Sequence, residues 1–260
     1  MAQADAPRAG IKTAQNICRR EETWRRSFWF TEPGTAAWCW RRVARLLTRS
    51  GHEVFAPTLT GLAERSHLLS PAIDLDTHIL DVVNEMKWQE LNDVVLVGHS
   101  YGGMVISGVA EKMERAISSV VLVDSFLPET GQAVIDLQPQ PVQDTLRAAE
   151  ASGATTVPPR TAAFFHVNEK DRAWVDARCT PQPLKCFLQR LTLTRARERI
   201  ARKVYIRATG YPSEPFDRAM ASARAKGWQV HELACGHDVM LDQPELLAEI
   251  LRETLRPRSA

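Results

Sequence analysis

The segment Val94-Val95-Leu96-Val97-Gly98-His99-Ser100-Tyr101-Gly102-Gly103 decides the fold. Its first four residues are apolar and predict a strand that is buried on both faces. The pattern Gly-x-Ser-x-Gly follows at once, and a helix pattern begins directly after it. Such a turn strains the serine backbone, and the glycines let strand and helix approach closely. We therefore predict that Ser100 is a nucleophile on a sharp strand-to-helix turn; the alternative is a glycine-rich turn with an idle serine.

Helix and strand patterns alternate on both sides of this segment. Helices are predicted over residues 36–50 and 75–90, and strands over 53–57, 119–123, 204–207 and 229–233. This alternation is typical of a mostly parallel sheet with helices on both faces. A chain of 260 residues can form one such domain with a small insertion.

Residues 126–202 break the alternation with seven prolines and short helical patterns over 142–151 and 171–178. We interpret this stretch as a small helical cap, inserted after the strand that ends at Asp124. The core would then comprise residues 28–125 and 203–260, with the cap over the carboxyl edge of the sheet, where ligands bind in open α/β folds. Four aromatic residues of the cap are candidates for the pocket lining, namely Phe164, Phe165, Trp174 and Phe187.

His237 is the candidate base for the serine. A serine hydroxyl is barely ionised at neutral pH and needs a neighbouring base. In folds with this turn the chain order is serine, acid, histidine. His237 lies in Cys235-Gly236-His237-Asp238, after the last strand and before the final helix. The other six histidines precede the serine, lie in the turn or cap, or fall inside a strand.

The acid that would orient His237 has more than one candidate. Asp124 follows the strand after the serine helix, at the edge where catalytic groups gather. The other usual place, after 204–207, carries no carboxylate, but Glu214 and Asp217 follow within a few residues. Asp124 is the first choice, Glu214 or Asp217 the second, and a site without an acid stays open. The acid would fix the histidine tautomer and stabilise the imidazolium.

Short segments along the chain carry a resemblance to a known family. They are Ala37-Trp38-Cys39-Trp40, Gly51-His52-Glu53-Val54, Ala56-Pro57-Thr58-Leu59-Thr60-Gly61, Gly98 to Gly103, Phe126-Leu127-Pro128 and Gly236-His237-Asp238. Over about residues 36–256 the chain resembles the bacterial relatives of plant methylesterases and hydroxynitrile lyases. The resemblance implies an α/β-hydrolase fold with a cap and a Ser-His-Asp triad, without cofactor or metal. In the lyase branch a lysine commonly follows the catalytic histidine; Asp238 stands here, which favours the esterase branch.

The segment before Trp40 departs from this family. The family normally has an apolar strand ending in His-Gly, and the next backbone N–H helps to bind the oxyanion. Counted back without gaps, this chain has Thr31-Glu32-Pro33, and proline has no N–H to donate. Loss of one oxyanion donor costs about 10²–10³ in rate. A shift of one residue would place the Gly34 N–H there, while the Tyr101 N–H is predicted to be the other donor.

Residues 1–27 resemble nothing in the family. We interpret them as an N-terminal extension, either disordered or arising from an altered reading frame upstream of about residue 35. The stretch has no apolar core typical of a secretory signal, and no run approaches the 18 apolar residues of a membrane span. Five cysteines without metal or disulfide spacing predict reduced thiols in a cytoplasmic protein.

Composition is that of an ordinary globular enzyme. Apolar residues make up 44% and charged residues 25%, and the formal net charge is +2. This balance gives no reason to expect a nucleic-acid or membrane partner. The predicted partner is a small ester, and a homodimer is left open.

Together, these observations predict a serine esterase that cleaves a small apolar ester through an acyl-enzyme on Ser100. One alternative is a lyase of the hydroxynitrile type that uses the same triad as a base. The other is a ligand-binding protein with weak or no catalysis, favoured only by the altered oxyanion segment.

Overall fold

The computed structural model describes residues 26–30 and 36–255. Its strands are β1 (Arg26–Phe30), β2 (Glu53–Phe55), β3 (Val94–Ser100), β4 (Ile117–Ser125), β5 (Thr156–Val157), β6 (Gln182–Pro183), β7 (Arg202–Ala208) and β8 (Gln229–Leu233). Six of them form one sheet in the order β2-β1-β3-β4-β7-β8, and every neighbouring pair is parallel. The other two, β5 and β6, pair antiparallel outside this sheet.

The centre of the sheet is formed by β3 and β4. All seven residues of β3 are buried, as expected for a strand covered on both faces. Alternate residues point to opposite faces: Val94 and Leu96 join one core cluster, whereas Val95 and Val97 join the other. Because the strands are parallel, the carboxyl ends of β3, β4, β7 and β8 meet at one edge.

Helices cover both faces. They are α1 (Arg41–Arg49), α2 (Leu75–Trp88), α3 (Gly102–Met113), α4 (Val134–Leu137), α5 (Gln140–Ala151), α6 (Glu169–Asp176), α7 (Lys185–Leu188), α8 (Ala196–Arg199), α9 (Glu214–Ala225), α10 (Val239–Asp242) and α11 (Pro244–Leu255). Apolar residues of α2, α3 and α9 belong to one core cluster, and those of α1, α10 and α11 to the other. Asp74 caps the N-terminus of α2, since its carboxylate accepts from the Thr77 N–H at 2.9 Å.

The segment between β4 and β7 contains α4 to α8 and the β5–β6 pair. A half-buried ion pair joins it to the sheet domain: the Arg42 guanidinium of α1 contacts both carboxylate oxygens of Asp171 in α6, at 2.6 and 2.7 Å. Arg42 also donates to the Leu241 carbonyl of α10 at 2.8 Å. These bonds hold α6 of the inserted segment beside α1 and α10.

Several element boundaries differ from the sequence prediction, three of them near the candidate site or the chain start. β1 begins at Arg26, two residues before the predicted core boundary. β3 continues through Ser100, and β4 extends to Ser125, one residue past Asp124. The rest of the predicted N-terminal extension, residues 1–25, lies outside the described residues. Within residues 26–30 and 36–255, no helix has the length and apolar character needed to cross a lipid bilayer.

Candidate active site

Ser100 closes β3 and forms the turn into α3, with a backbone φ of +52°. A positive φ is costly for a residue that carries a Cβ. The strain predicted for this serine is therefore present. The side chain is almost completely buried, yet it lines a cavity. Ser100 is thus held in an unfavourable backbone conformation at the floor of a pocket.

Two glycines make this turn sterically feasible. A Cβ on Gly98 would lie 2.8 Å from the Gly102 carbonyl oxygen, because β3 and α3 converge there. A Cβ on Gly103 would lie 2.1 Å from the Phe126 carbonyl oxygen. Side chains at either position would push the helix away from the sheet.

The neighbouring strand fixes the Ser100 carbonyl. The Ser125 hydroxyl donates to this oxygen at 2.7 Å, and the Phe126 N–H donates to it at 3.2 Å. Both donors come from the end of β4 and the residue after it. The end of β4, the strand that also carries Asp124, therefore holds the turn that carries Ser100.

His237 lies between β8 and α10 and is fully buried. Its Nδ1 is 2.6 Å from Oδ2 of Asp124. Its backbone is held as well: the N–H donates to the Phe165 carbonyl, and the carbonyl accepts from His99 Nε2, both at 2.9 Å. The structure therefore brings the predicted base and one predicted acid together and anchors the histidine from two other directions.

The other two acid candidates lie elsewhere. Glu214 is exposed and accepts a hydrogen bond from Arg218 at 2.6 Å. The Asp217 carboxylate, also exposed, accepts from Nε of Arg207 at 2.8 Å. Of the three candidate carboxylates, Asp124 is the one hydrogen-bonded to His237.

Asp124 has no solvent exposure and, like Ser100, a positive φ, here +41°. Its Oδ2 faces His237, and its Oδ1 accepts from the Ala208 N–H at 3.0 Å and from Nη1 of Arg207 at 2.8 Å. A buried carboxylate with hydrogen bonds on both oxygens avoids the cost of desolvating an unpaired charge.

Aromatic rings enclose the His237 imidazole. The Phe216 ring is stacked on it at 5.1 Å and 8°, and the Phe165 ring at 5.2 Å and 27°. Tyr211 lies at 5.0 Å and His99 at 4.4 Å. Burial and the adjacent His237 hold the pKa of His99 well below its usual range. His99 is consequently neutral, and it places no second positive charge beside the candidate base.

Tyr101, the predicted oxyanion donor, immediately precedes α3. Its backbone N–H therefore lies at the positive end of the helix dipole. Its side chain is buried, with the hydroxyl 3.0 Å from Nδ1 of His78. The Nε2 of His78 is in turn 3.0 Å from the Thr60 carbonyl. The second predicted donor, Gly34, falls with Thr31-Glu32-Pro33 outside the described residues, so this assignment stays a prediction.

A cavity of about 170 Å³ opens over Ser100 and His237. Its walls are mainly apolar and come from both the sheet domain and the inserted segment, with Phe126, Val142, Leu146, Val157, Phe164, Phe165, Phe187, Tyr211 and Phe216 among them. Phe164, Phe165 and Phe187 were predicted to line the pocket, and they do.

The prediction that Trp174 lines the pocket is wrong. Its ring packs edge-on against Trp38, with ring centres 4.8 Å apart, and the Arg178 guanidinium lies 4.8 Å over it. On the short helix α6, the face that carries Trp174 packs on the segment before α1 rather than on the cavity.

Comparison with known proteins assigns this chain to a family. A model of the "Alpha/beta hydrolase family" matches residues 28–250. The chain belongs to the alpha/beta hydrolase family. The predicted fold class is confirmed.

Several curated relatives of this hydrolase are named as esterases. A carbendazim hydrolyzing esterase of Nocardioides sp. (strain SG-4G) is 40% identical over 224 residues, which cover 82% of this chain and 93% of that protein. Methylesterase 1 of Arabidopsis thaliana is 34% identical over 105 residues, 36% of either chain. The predicted family branch and the enzyme class, a carboxylic-ester hydrolase, are confirmed by these matches.

Solved structures share the fold of this hydrolase. An extracellular alpha/beta-hydrolase from a Paenibacillus species, described as homologous to tobacco salicylic acid binding protein 2, superposes with a TM-score of 0.79 at 23% identity. That match covers 89% of this chain and 99% of the other. A pyrethroid hydrolase from Sphingobium faniae JZ-2 has a TM-score of 0.68 at 18% identity, with 89% and 97% covered.

Arg207 is a charged residue of the hydrolase site that the sequence prediction missed, as it missed Tyr211 and Phe216 beside His237. It is the penultimate residue of β7 and only 2% exposed, and it contacts Asp124 directly. The sequence offered one signal: an arginine inside the strand pattern 204–207, where a central strand is otherwise apolar. A buried arginine requires an anionic partner, and Asp124 at the end of the adjacent strand fulfils this requirement.

Proposed function

We propose that this hydrolase cleaves small, largely apolar carboxylic esters through an acyl-enzyme on Ser100. The observation that carries the proposal is the buried contact of His237 with Asp124 in a cavity that Ser100 also lines. A strained serine, a histidine oriented by a carboxylate and an apolar pocket together suit acyl transfer.

In the first half-reaction the Ser100 oxygen attacks the ester carbonyl carbon. Because Nδ1 of His237 faces Asp124, Nε2 is the nitrogen that takes the serine proton. Asp124 stabilises the imidazolium that results. The negative charge that develops on the carbonyl oxygen is met by the Tyr101 N–H. The C–O bond then breaks, and the alcohol leaves with the proton from Nε2.

In the second half-reaction water hydrolyses the acyl-enzyme. Nε2 removes a proton from the water as the water oxygen attacks the acyl carbon. Collapse of this second tetrahedral intermediate releases the carboxylic acid, and the proton returns to the Ser100 oxygen. Both halves therefore use the same histidine and the same oxyanion donor.

The cavity indicates the size and polarity of the substrate. About 170 Å³ is below the ~300–1,000 Å³ of pockets that enclose drug-sized ligands. Aromatic residues dominate the wall near His237, and flat aromatic groups pack well on such surfaces. We therefore propose a compact ester with an aromatic or aliphatic apolar group.

Names of relatives support this substrate class. One relative is named for the hydrolysis of carbendazim and another as a methylesterase. Methanol, the alcohol that a methyl ester releases, is a leaving group small enough for a cavity of this volume. Aromatic methyl esters and carbendazim itself are thus the first compounds to assay.

A fluorophosphonate probe tests the proposed nucleophile, since it reacts covalently with activated serines. We expect labelling of the parent protein and of S152A, whose serine is exposed at the end of α5, but not of S100A. Absence of labelling in the parent, with S100A equally folded by circular dichroism, refutes an activated Ser100.

Turnover distinguishes the esterase from the two alternatives. Hydrolysis of p-nitrophenyl acetate by the parent and not by S100A supports the esterase. A labelled protein that leaves this ester intact instead supports the weakly catalytic ligand-binding alternative. Release of cyanide from mandelonitrile supports the lyase.

A further inference from the structure

A buried guanidinium lies directly behind Asp124. Nη1 of Arg207 donates to Oδ1 of Asp124, and Nε donates to Oδ1 of Asp217, each at 2.8 Å. The remaining N–H groups face the backbone carbonyls of Ala208, Tyr211 and Ser213. All five donors of this arginine therefore have acceptors, and its fork joins the two carboxylates in a fixed geometry.

The charges of this cluster bear on His237. Arg207 alone would offset the negative charge of Asp124 and weaken its attraction for an imidazolium. Asp217 supplies a second negative charge on the far side of the guanidinium. The three side chains together then carry a net charge of −1, which protonation of His237 neutralises. Such an arrangement favours the imidazolium that serine attack requires.

We propose that Arg207 and Asp217 are positioning residues for His237: Arg207 holds the Asp124 carboxylate in place, and Asp217 balances the arginine so that the imidazole stays basic. This inference rests on the proposed Ser-His-Asp triad. Asp217 thereby has a different role from the one considered in the sequence analysis, where it was an alternative to Asp124 as the triad acid. Neither residue touches the substrate.

Other titratable groups lie near His237 in space or in the chain, and the comparison of variants must leave them unchanged. They are His99 from β3, Cys235 and Asp238 beside it in the chain, Asp242 from α10, Tyr211 from the loop after β7, and His166, which packs on Tyr211. His99 is neutral, and burial raises the pKa of the Cys235 thiol to about 12, so that it too is uncharged at neutral pH. Asp217 can be replaced without altering any of these groups.

The first test compares D217N with E214Q. Both carboxylates lie on the first turn of α9, but Glu214 pairs with Arg218 and not with Arg207. Removing the Asp217 charge disfavours the imidazolium, so the acid-limb pKa of kcat/KM for p-nitrophenyl acetate should fall by about half a unit in D217N. E214Q should keep the parent value. Equal pKa values in D217N and the parent overturn the proposal for Asp217.

The second test is R207K. Lysine keeps the charge but cannot bridge two carboxylates with a planar fork. Displacement of Asp124 should lower kcat between about tenfold and 10²-fold and leave KM within about twofold. An unchanged kcat in a folded R207K protein contradicts the positioning role. Asp217 is exposed, so D217N should fold. The comparison of D217N with E214Q therefore tests the role of Asp217 even if R207K does not fold.

A third measurement separates this inference from the proposed function. The His237 imidazole is titrated by NMR in the S100A background, with and without D217N, and its signals are assigned from H237Q. A lower histidine pKa in the D217N protein supports the charge-balancing role. Identical titrations reject that role. Loss or retention of esterase activity in S100A decides the nucleophile independently.

Discussion

Nδ1 of His237 and Oδ2 of Asp124 are 2.6 Å apart, and neither side chain is exposed to solvent. The other oxygen of Asp124 is held by the Ala208 N–H and the Arg207 guanidinium. This division of the two oxygens determines the histidine tautomer: a carboxylate accepts, so Nδ1 carries a proton and Nε2 presents its lone pair.

Replacing Asp124 by asparagine should therefore reverse the tautomer. Two donors hold the position of Oδ1, so the amide oxygen will occupy it and the amide NH₂ will face His237. Nδ1 must then accept, and Nε2 carries the proton and cannot take that of Ser100. We expect kcat for p-nitrophenyl acetate to fall by about 10⁴ in D124N.

E214Q is the control for this substitution, because Glu214 was an alternative acid and is not bonded to His237. Its kcat should stay within about twofold of the parent. A D124N protein that folds and keeps a tenth of the parent activity would show that Asp124 does not orient the base.

Buried histidines should make the protein less stable in mild acid. Burial lowers the pKa of both His78 and His99 in the folded chain. As the pH falls, a histidine of this kind is protonated in the unfolded chain at a higher pH than in the folded chain. The folded state therefore loses stability as the pH falls below about 6.5. Each contributes up to about 1.4 kcal/mol per pH unit to this loss.

Urea unfolding at pH 7.5 and pH 5.5 measures this effect. The drop in the free energy of unfolding between the two pH values should be smaller in H78Q and in H99Q than in the parent. An equal drop in all three proteins would mean that neither histidine stays neutral in the folded state.

Much of this architecture could be predicted because hydrophobic patterns report burial. The apolar run Val94–Val97 had to lie at the centre of a sheet, and Gly98 and Gly103 allow the close approach that follows it. His237 could be placed because chain order restricts the base to the end of the last strand. These inferences depend on local pattern and on connectivity alone.

Pairing between side chains could not be predicted in the same way. Asp124, Asp217 and Glu214 all lie near the same edge, and sequence spacing does not show which one faces His237. In the structure Arg207 contacts two of them, Asp217 through Nε and Asp124 through Nη1. The prediction for Trp174 failed for a similar reason. On a short helix such as α6, the tertiary partner of a side chain, here Trp38, determines which way that side chain points.

The Tyr101 hydroxyl should stabilise the fold through His78. Since Nε2 of His78 faces the Thr60 carbonyl, Nδ1 is the acceptor for the tyrosine hydroxyl. Y101F removes this donor inside the core, at an expected cost of about 1–3 kcal/mol in the free energy of unfolding. In an H78L background the same substitution should cost less, because the acceptor of the tyrosine hydroxyl is gone. Equal costs in the two backgrounds would indicate that the two side chains are not coupled.

Phe164 should contribute to substrate binding rather than to stability. It lines the cavity yet is 49% exposed, with its ring against Phe165 at 5.1 Å. F164A removes one aromatic wall, and an aromatic contact contributes about 0.5–1.5 kcal/mol. KM for an aromatic ester should therefore rise about two- to tenfold, whereas KM for an acetate ester of a small alcohol should change less.

L80A is the matched control for F164A, because Leu80 is similarly exposed, at 46%, on α2 and is not part of the cavity wall. It should leave KM for both esters unchanged, and both variants should unfold near the parent midpoint. If F164A and L80A have the same KM for the aromatic ester, the substrate does not contact the Phe164 ring. The aromatic group would then have to bind deeper in the cavity, against Phe165 and Phe216 beside His237.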